Sequence, residues 1–67
     1  MYVMSDGPYG KQDRDGDEIP EWVVTVFDDE DQEVDWWYCE SYRAAFDFGE
    51  YLAEKRGLEH IAEGMEA

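Results

Sequence analysis

Apolar and polar positions are unevenly distributed along the chain. The opening Met1-Tyr2-Val3-Met4 allows a short edge strand, but from Ser5 to Glu18 apolar residues almost vanish among Asp, Gly and Pro8. No period is recognisable there, so residues 1–18 are expected to form a flexible acidic arm and loop. The run Trp22-Val23-Val24-Thr25-Val26-Phe27 is β-branched and aromatic and predicts a strand, with Pro20 near its beginning, where no ladder hydrogen bond is lost. Six residues without an apolar side chain, Asp28 to Glu33, precede a second strand, Val34 to Cys39, so residues 19–39 predict a β-hairpin with an acidic tip. Period two places Trp22, Val24 and Val26 opposite Val23, Thr25 and Phe27, and separates Val34, Trp36 and Tyr38 from Asp35, Trp37 and Cys39. Both sheet faces are thus substantially apolar. One is expected to pack on a helix, the other to be covered by the N-terminal arm or by a partner.

Ser41 suits an N-cap, because its hydroxyl can accept from a backbone N–H of the first turn, and Gly57 suits a left-handed C-cap; residues 41–56 predict the main helix. Lys55 and Arg56 complement the negative end of its dipole. A helical period sets Ala44, Ala45, Phe48, Tyr51 and Leu52 on a broad inner arc and Asp47, Glu50 and Glu54 on an outer acidic ridge with Arg43. Leu58, Ile61, Ala62 and Met65 continue at helical spacing, so 58–66 predicts a short C-terminal helix that frays at Gly64. The fold expected is a single α+β domain: an antiparallel hairpin or three-stranded sheet packed on one main helix, with that short second helix.

Composition adds an electrostatic constraint. The chain has 67 residues, with 19 carboxylates against five Lys and Arg, a net charge of −14. Such a field opposes direct binding to nucleic acid or to an anionic membrane and favours encounter with basic surfaces. Eleven aromatic residues, three Trp, five Tyr and three Phe, supply enough apolar area for a core despite the polarity, which separates this chain from a disordered acidic tail. A lone cysteine, Cys39, forms no internal disulfide and points to a reducing, cytoplasmic setting. Neither a leader pattern nor an apolar run of membrane-spanning length is present in the sequence.

Few residues suggest chemistry of their own. His60 and Cys39 are single copies in different elements with no signature linking them, and no enzyme is expected. Asp13-Arg14-Asp15-Gly16-Asp17 supplies the D-x-D-x-D opening of a calcium loop, but Glu18 stands where the loop needs Gly and Val24 where it needs a bidentate Glu. No dedicated metal site and no cofactor are therefore expected, although weak divalent-cation binding is an alternative. Carboxylates spaced about 6.6 Å apart along a strand, or about 6 Å apart along a helix, match roughly two steps of a DNA strand. Asp28, Asp29, Glu30, Asp31, Glu33, Asp35, Asp47, Glu50 and Glu54 are the candidate partner-binding carboxylates, with Trp37 as an aromatic anchor of the kind found in binding hot spots.

The stretch from Trp22 to Arg56, a hairpin with an acidic turn followed by a helix, resembles in size, charge and layout the very small acidic inhibitors encoded by phages and mobile elements. These include anti-CRISPR proteins, several of which pair a compact α+β fold with a DNA-mimicking surface. The resemblance implies a stoichiometric inhibitor that occupies the basic DNA-binding groove of a CRISPR effector, such as a type I Cascade complex, and blocks target DNA; a monomer is expected in preference to a homodimer. The alternative class is a small halophilic adaptor or housekeeping domain, for which the same acidity serves solvation in salt.

Overall fold

Alternation along the apolar runs is realised as a mixed sheet. The computed structural model describes residues 1–62 and 65. Its elements are β1 (Tyr2–Gln12), β2 (Glu18–Phe27), β3 (Glu33–Cys39), α1 (Tyr42–Arg56) and β4 (Glu59–Ile61), and the strands lie in the order β3-β2-β1-β4. The β1–β2 and β2–β3 pairs are antiparallel, and β4 runs parallel to β1. This is an α+β fold, with four strands where the apolar pattern predicted two or three.

Trp22, Val24 and Val26 form the centre of one sheet face and are buried. Register places Val3 beside Val26, Ser5 beside Val24, Trp37 beside Val24, Cys39 beside Trp22 and His60 beside Val3. Helix α1 covers this face with Ala45, Leu52 and Ala53. Fully burying side chains of this kind is worth about 1.5–3 kcal/mol each for the larger ones, which makes this face the main source of stability.

The expected flexible arm is instead a strand as far as Gln12, flanked by β2 along its length and by β4 at Tyr2 to Met4. Its period-two pattern was hidden because the inward positions after Val3 are Ser5 and Gly7, which are buried but not apolar. A bulge between Asp6 and Tyr9 contains Gly7, at φ 130°, and a cis Gly7–Pro8 peptide. Beyond it β1 and β2 continue as a two-stranded arm in which residues 8–20 are all exposed. Since β3 ends at Cys39 opposite Trp22, Pro20 lies where β2 has no second neighbour and its missing N–H breaks no β2–β3 bond.

The two hairpin loops use the same device. In the first, Asp13 Oδ1 accepts from the N–H groups of Asp15 and Asp17 at 2.9 Å each; in the second, Asp28 Oδ1 accepts from Glu30 and Gln32 at 2.9 and 3.0 Å. Backbone bonds match as well: Asp13 N–H to Asp17 O and Gly16 N–H to Asp13 O, against Asp28 N–H to Gln32 O and Asp31 N–H to Asp28 O. The fourth position takes a left-handed conformation in both, at Gly16 (φ 83°) and at Asp31 (φ 60°). Within the D-x-D-x-D run, Asp13 serves turn chemistry, in which an Asp side chain replaces a backbone acceptor.

Ser41 caps α1 by accepting from Ala44 N–H, and Gly57 ends it at φ 67°, with Leu58 N–H bonded to Ala53 O at 2.8 Å, as the sequence predicted. The inner arc is rotated from expectation. Ala44 and Tyr51 are exposed, while Gly49 and Ala53 face the sheet with Ala45 and Leu52. Small residues at 45, 49 and 53, one per turn, let the helix lie close to the strands, which a large-residue criterion misses.

The short helix expected at 58–66 is not formed where the chain is described: Glu59–Ile61 is β4, pairing with Tyr2, Val3 and Met4. Residues 63, 64 and 66 of that span lie outside the described residues. The strand satisfies backbone groups on the outer side of β1 and brings His60 to Ser5, gains that local helical spacing does not reveal. No helix among the described residues is long and apolar enough to cross a membrane.

Candidate functional site

Helix α1 covers one face of the sheet, and across the described residues no element covers the other. Its rows follow from the register: Glu33, Phe27, Tyr2 and Glu59; then Trp36, Thr25, Met4 and Ile61; then Tyr38, Val23 and Asp6. Tyr2 stacks on Phe27 with ring centroids 5.0 Å apart. Trp36 and Tyr38 are 52% and 64% exposed, which is unusual for aromatic residues of a strand and leaves large apolar area in water. A shallow depression of about 300 Å³ lies here, lined by Val23, Thr25, Glu33, Trp36 and Tyr38. Trp37, the aromatic anchor expected from the sequence, lies on the opposite, helix-covered face and meets Phe48 edge-on at 5.1 Å. Its neighbours Trp36 and Tyr38 hold the open face instead.

The hairpin-tip carboxylates are gathered at the end of β2 and β3, but they are not equivalent. Asp28 is committed to its loop through the two backbone bonds described above. Asp31 accepts from the Tyr2 hydroxyl at 3.1 Å, and Asp29 pairs with the Met1 ammonium, which holds the Asp29 carboxyl below the usual range through a hydrogen bond and its charge. Removal from water, then the Asp31 hydrogen bond and charge, raise the Tyr2 phenol. Glu30 and Glu33 are exposed at the tip and at the start of β3, and Asp35, also exposed, accepts from Trp36 N–H at 3.0 Å. On the helix ridge, Asp47 pairs with Arg43 at 3.0 Å and Glu50 with His60 at 2.7 Å, while Glu54 is exposed. The structure thus gathers the tip residues but separates them from the ridge, two of whose three carboxylates have intramolecular partners.

A polar cluster that sequence reasoning missed lies between helix and sheet. Ser5 Oγ is 2.8 Å from His60 Nε2 and 3.1 Å from Ala45 O, and His60 Nδ1 is 2.7 Å from Glu50 Oε1. The connectivity is that of a serine–histidine–acid triad. Its surroundings favour a structural role. Ser5 has no exposed surface, its hydroxyl proton goes to the Ala45 carbonyl, and Gly49 presses so close that an added Cβ would stand 2.3 Å from Oγ and 2.4 Å from Nε2. That oxygen is enclosed in this arrangement. The cluster instead ties β1, β4 and α1 together, with Phe46 tilted over the His60 ring at 5.2 Å. Three residues 45 and 10 positions apart in sequence carry no local signal, which explains why it was not anticipated.

Asp13, Asp15 and Asp17 bring one carboxylate oxygen each within 4.8 Å of one another, all exposed, at the far end of the β1–β2 arm. Tyr9 donates to Asp6 near the bulge, and that bond is the main cause of a raised Tyr9 phenol. Cys39 is a half-buried thiol pushed up by its partial withdrawal from water.

No family model, curated protein or solved structure matches the chain. The fold and surface define a small acidic α+β protein with, among the described residues, one covered and one open sheet face, and an acidic hairpin tip beside the open one.

Proposed function

We propose that this protein is a non-catalytic binding protein that occupies the basic nucleic-acid-binding surface of another protein, as an anti-CRISPR-like DNA mimic does in the groove of a CRISPR effector of the type I Cascade class. The observation that supports this most is the hairpin tip. Asp28 fixes the loop through its own hydrogen bonds, so that Asp29, Glu30 and Glu33 are presented on an ordered scaffold rather than on a floppy tail. Charges held in advance lose less conformational entropy on docking, and a net charge of −14 steers the molecule toward Lys- and Arg-lined grooves. The protein acts as a monomer in this reading, binds no nucleic acid itself and needs no cofactor. A single unpaired thiol fits a cytoplasmic setting.

Competition tests the proposal. A purified type I effector loaded with labelled target duplex is titrated with the protein at increasing salt. DNA should be displaced, with affinity falling as salt rises. The variant Asp29→Asn/Glu30→Gln/Glu33→Gln, which leaves Asp28 and Asp31 intact, should lose roughly ten-fold or more in affinity. Undisturbed DNA loading at saturating protein would reject the mimic reading.

A further inference from the structure

Resting on the acidic-binder reading, we propose that the depression between Trp36 and Tyr38 on the open sheet face is a binding site for an arginine side chain of the partner. The two residues alternate on one strand, so their side chains stand about 6.6 Å apart on the same face. A planar group sandwiched between two rings needs about twice a van der Waals contact of 3.5 Å, close to that spacing. Val23 and Thr25, the cross-strand neighbours of Tyr38 and Trp36, and Glu33 complete the lining of the depression. A guanidinium is flat, weakly hydrated, stacks on aromatic faces and pairs with carboxylates, so it meets every part of this lining. An ammonium is a strongly hydrated point charge and gains less from two flanking rings.

Charge decides between occupants. A second copy would bring two molecules of charge −14 face to face, with Glu33, Asp6 and Glu59 of each open face near those of the other. An apolar partner would bury those same carboxylates without compensation. A basic partner neutralises them while covering the exposed Trp36 and Tyr38 rings.

The test compares two probes of equal charge, nona-arginine and nona-lysine peptides, by titration calorimetry at fixed salt. The arginine peptide should bind at least about five-fold more tightly. Trp36→Ala and Tyr38→Ala should each shrink that ratio toward one while leaving the lysine peptide's affinity within about two-fold. Trp36 and Tyr38 are more than half exposed, so these variants should keep the fold. Equal binding of both peptides by the unaltered protein, or a ratio that survives Trp36→Ala, would overturn the arginine site but leave the electrostatic reading standing. Failure of both peptides to bind would overturn the acidic-binder reading as well. A dimer in sedimentation that Trp36→Ala dissociates would replace the arginine site with a self-association face.

Discussion

Gly49→Ala sets two physical effects of opposite sign against each other. Alanine in mid-helix is favoured over glycine by about 1 kcal/mol, so on propensity alone the substitution stabilises the protein. The new Cβ would lie 2.3 Å from Ser5 Oγ and 2.4 Å from His60 Nε2, well inside any allowed contact. Neither neighbour can yield cheaply. Ser5 is fully buried with its hydroxyl on the Ala45 carbonyl, and the His60 side chain is 5% exposed and held by Glu50. Lifting α1 or breaking the Ser5–His60 bond costs about 1–3 kcal/mol, as overpacking or as a buried polar group left unpaired, and both responses together exceed the propensity gain. The expected outcome is a net loss of about 2 kcal/mol, which in a domain of this size lowers the melting temperature by roughly 10 °C. Thermal and urea unfolding followed by circular dichroism measure it. In a Ser5→Ala background, which removes the nearest atom, the cost of Gly49→Ala should fall by about 1 kcal/mol or more. A melting temperature raised by Gly49→Ala would refute the close approach of helix and sheet, and with it the account of why small residues line the inner arc.

Four further outcomes are expected. Gly16→Ala should destabilise the β1–β2 loop by about 1 kcal/mol although nothing stands within 4 Å of the added carbon, because the cost lies in its left-handed backbone; hydrogen exchange localised to the arm would read it. Asp28→Ala should lower global stability by about 1 kcal/mol by freeing two backbone donors, whereas Asp13→Ala should loosen only the exposed arm, and equal effects on urea unfolding would argue against an independent arm. In an ultraviolet pH titration, Tyr9 should ionise above an ordinary tyrosine and return toward it in Asp6→Asn; a raised folded-state value means its contribution to stability is complete below the unfolded phenol's pKa and is lost as pH rises through the folded one. Iodoacetamide at pH 8.5 should label Cys39 more slowly in the native protein than in urea, since the native thiol holds its proton to higher pH; equal rates would contradict its withdrawal from water.

The elements that local chemistry specifies were legible from the sequence: the β2–β3 hairpin, helix α1 with both its caps, and the separation of Trp22, Val24 and Val26 from Val23, Thr25 and Phe27, though not which of the two sets turns inward. What was hidden depends on small inward residues and distant pairing. Ser5 and Gly7 masked β1, because a buried position held by a small polar residue looks like a loop in an apolar count. β4 was obscured because Leu58, Ile61 and Ala62 fit a helical period, and only the open side of β1, more than fifty residues earlier, selects the strand. Of the candidate site, the acidic tip was legible as a concentration of charge. That Asp28 serves the loop, that Asp47 and Glu50 pair within the molecule, and that Trp36 rather than Trp37 reaches solvent are matters of turn geometry and register. A one-residue bulge between β2 and β3, where Phe27 faces Glu33 and Val26 faces Asp35, helps set which Trp faces out.

The Ser5–His60 tie has a consequence for the order in which the structure can be assembled. It joins residues 55 positions apart, and β1 lies in the interior of the sheet between β2 and β4. During synthesis the first strand can pair early with β2, yet its other edge and the hydroxyl of Ser5 must wait until β3, the whole of α1 and the turn at Gly57 have been made. Closing so long a loop is entropically expensive before its contacts reward it, which puts the β1–β4 pairing after the two hairpins. Until His60 arrives, an exposed interior edge and an uncovered polar group persist in a chain whose abundant like charges keep neighbouring nascent copies apart.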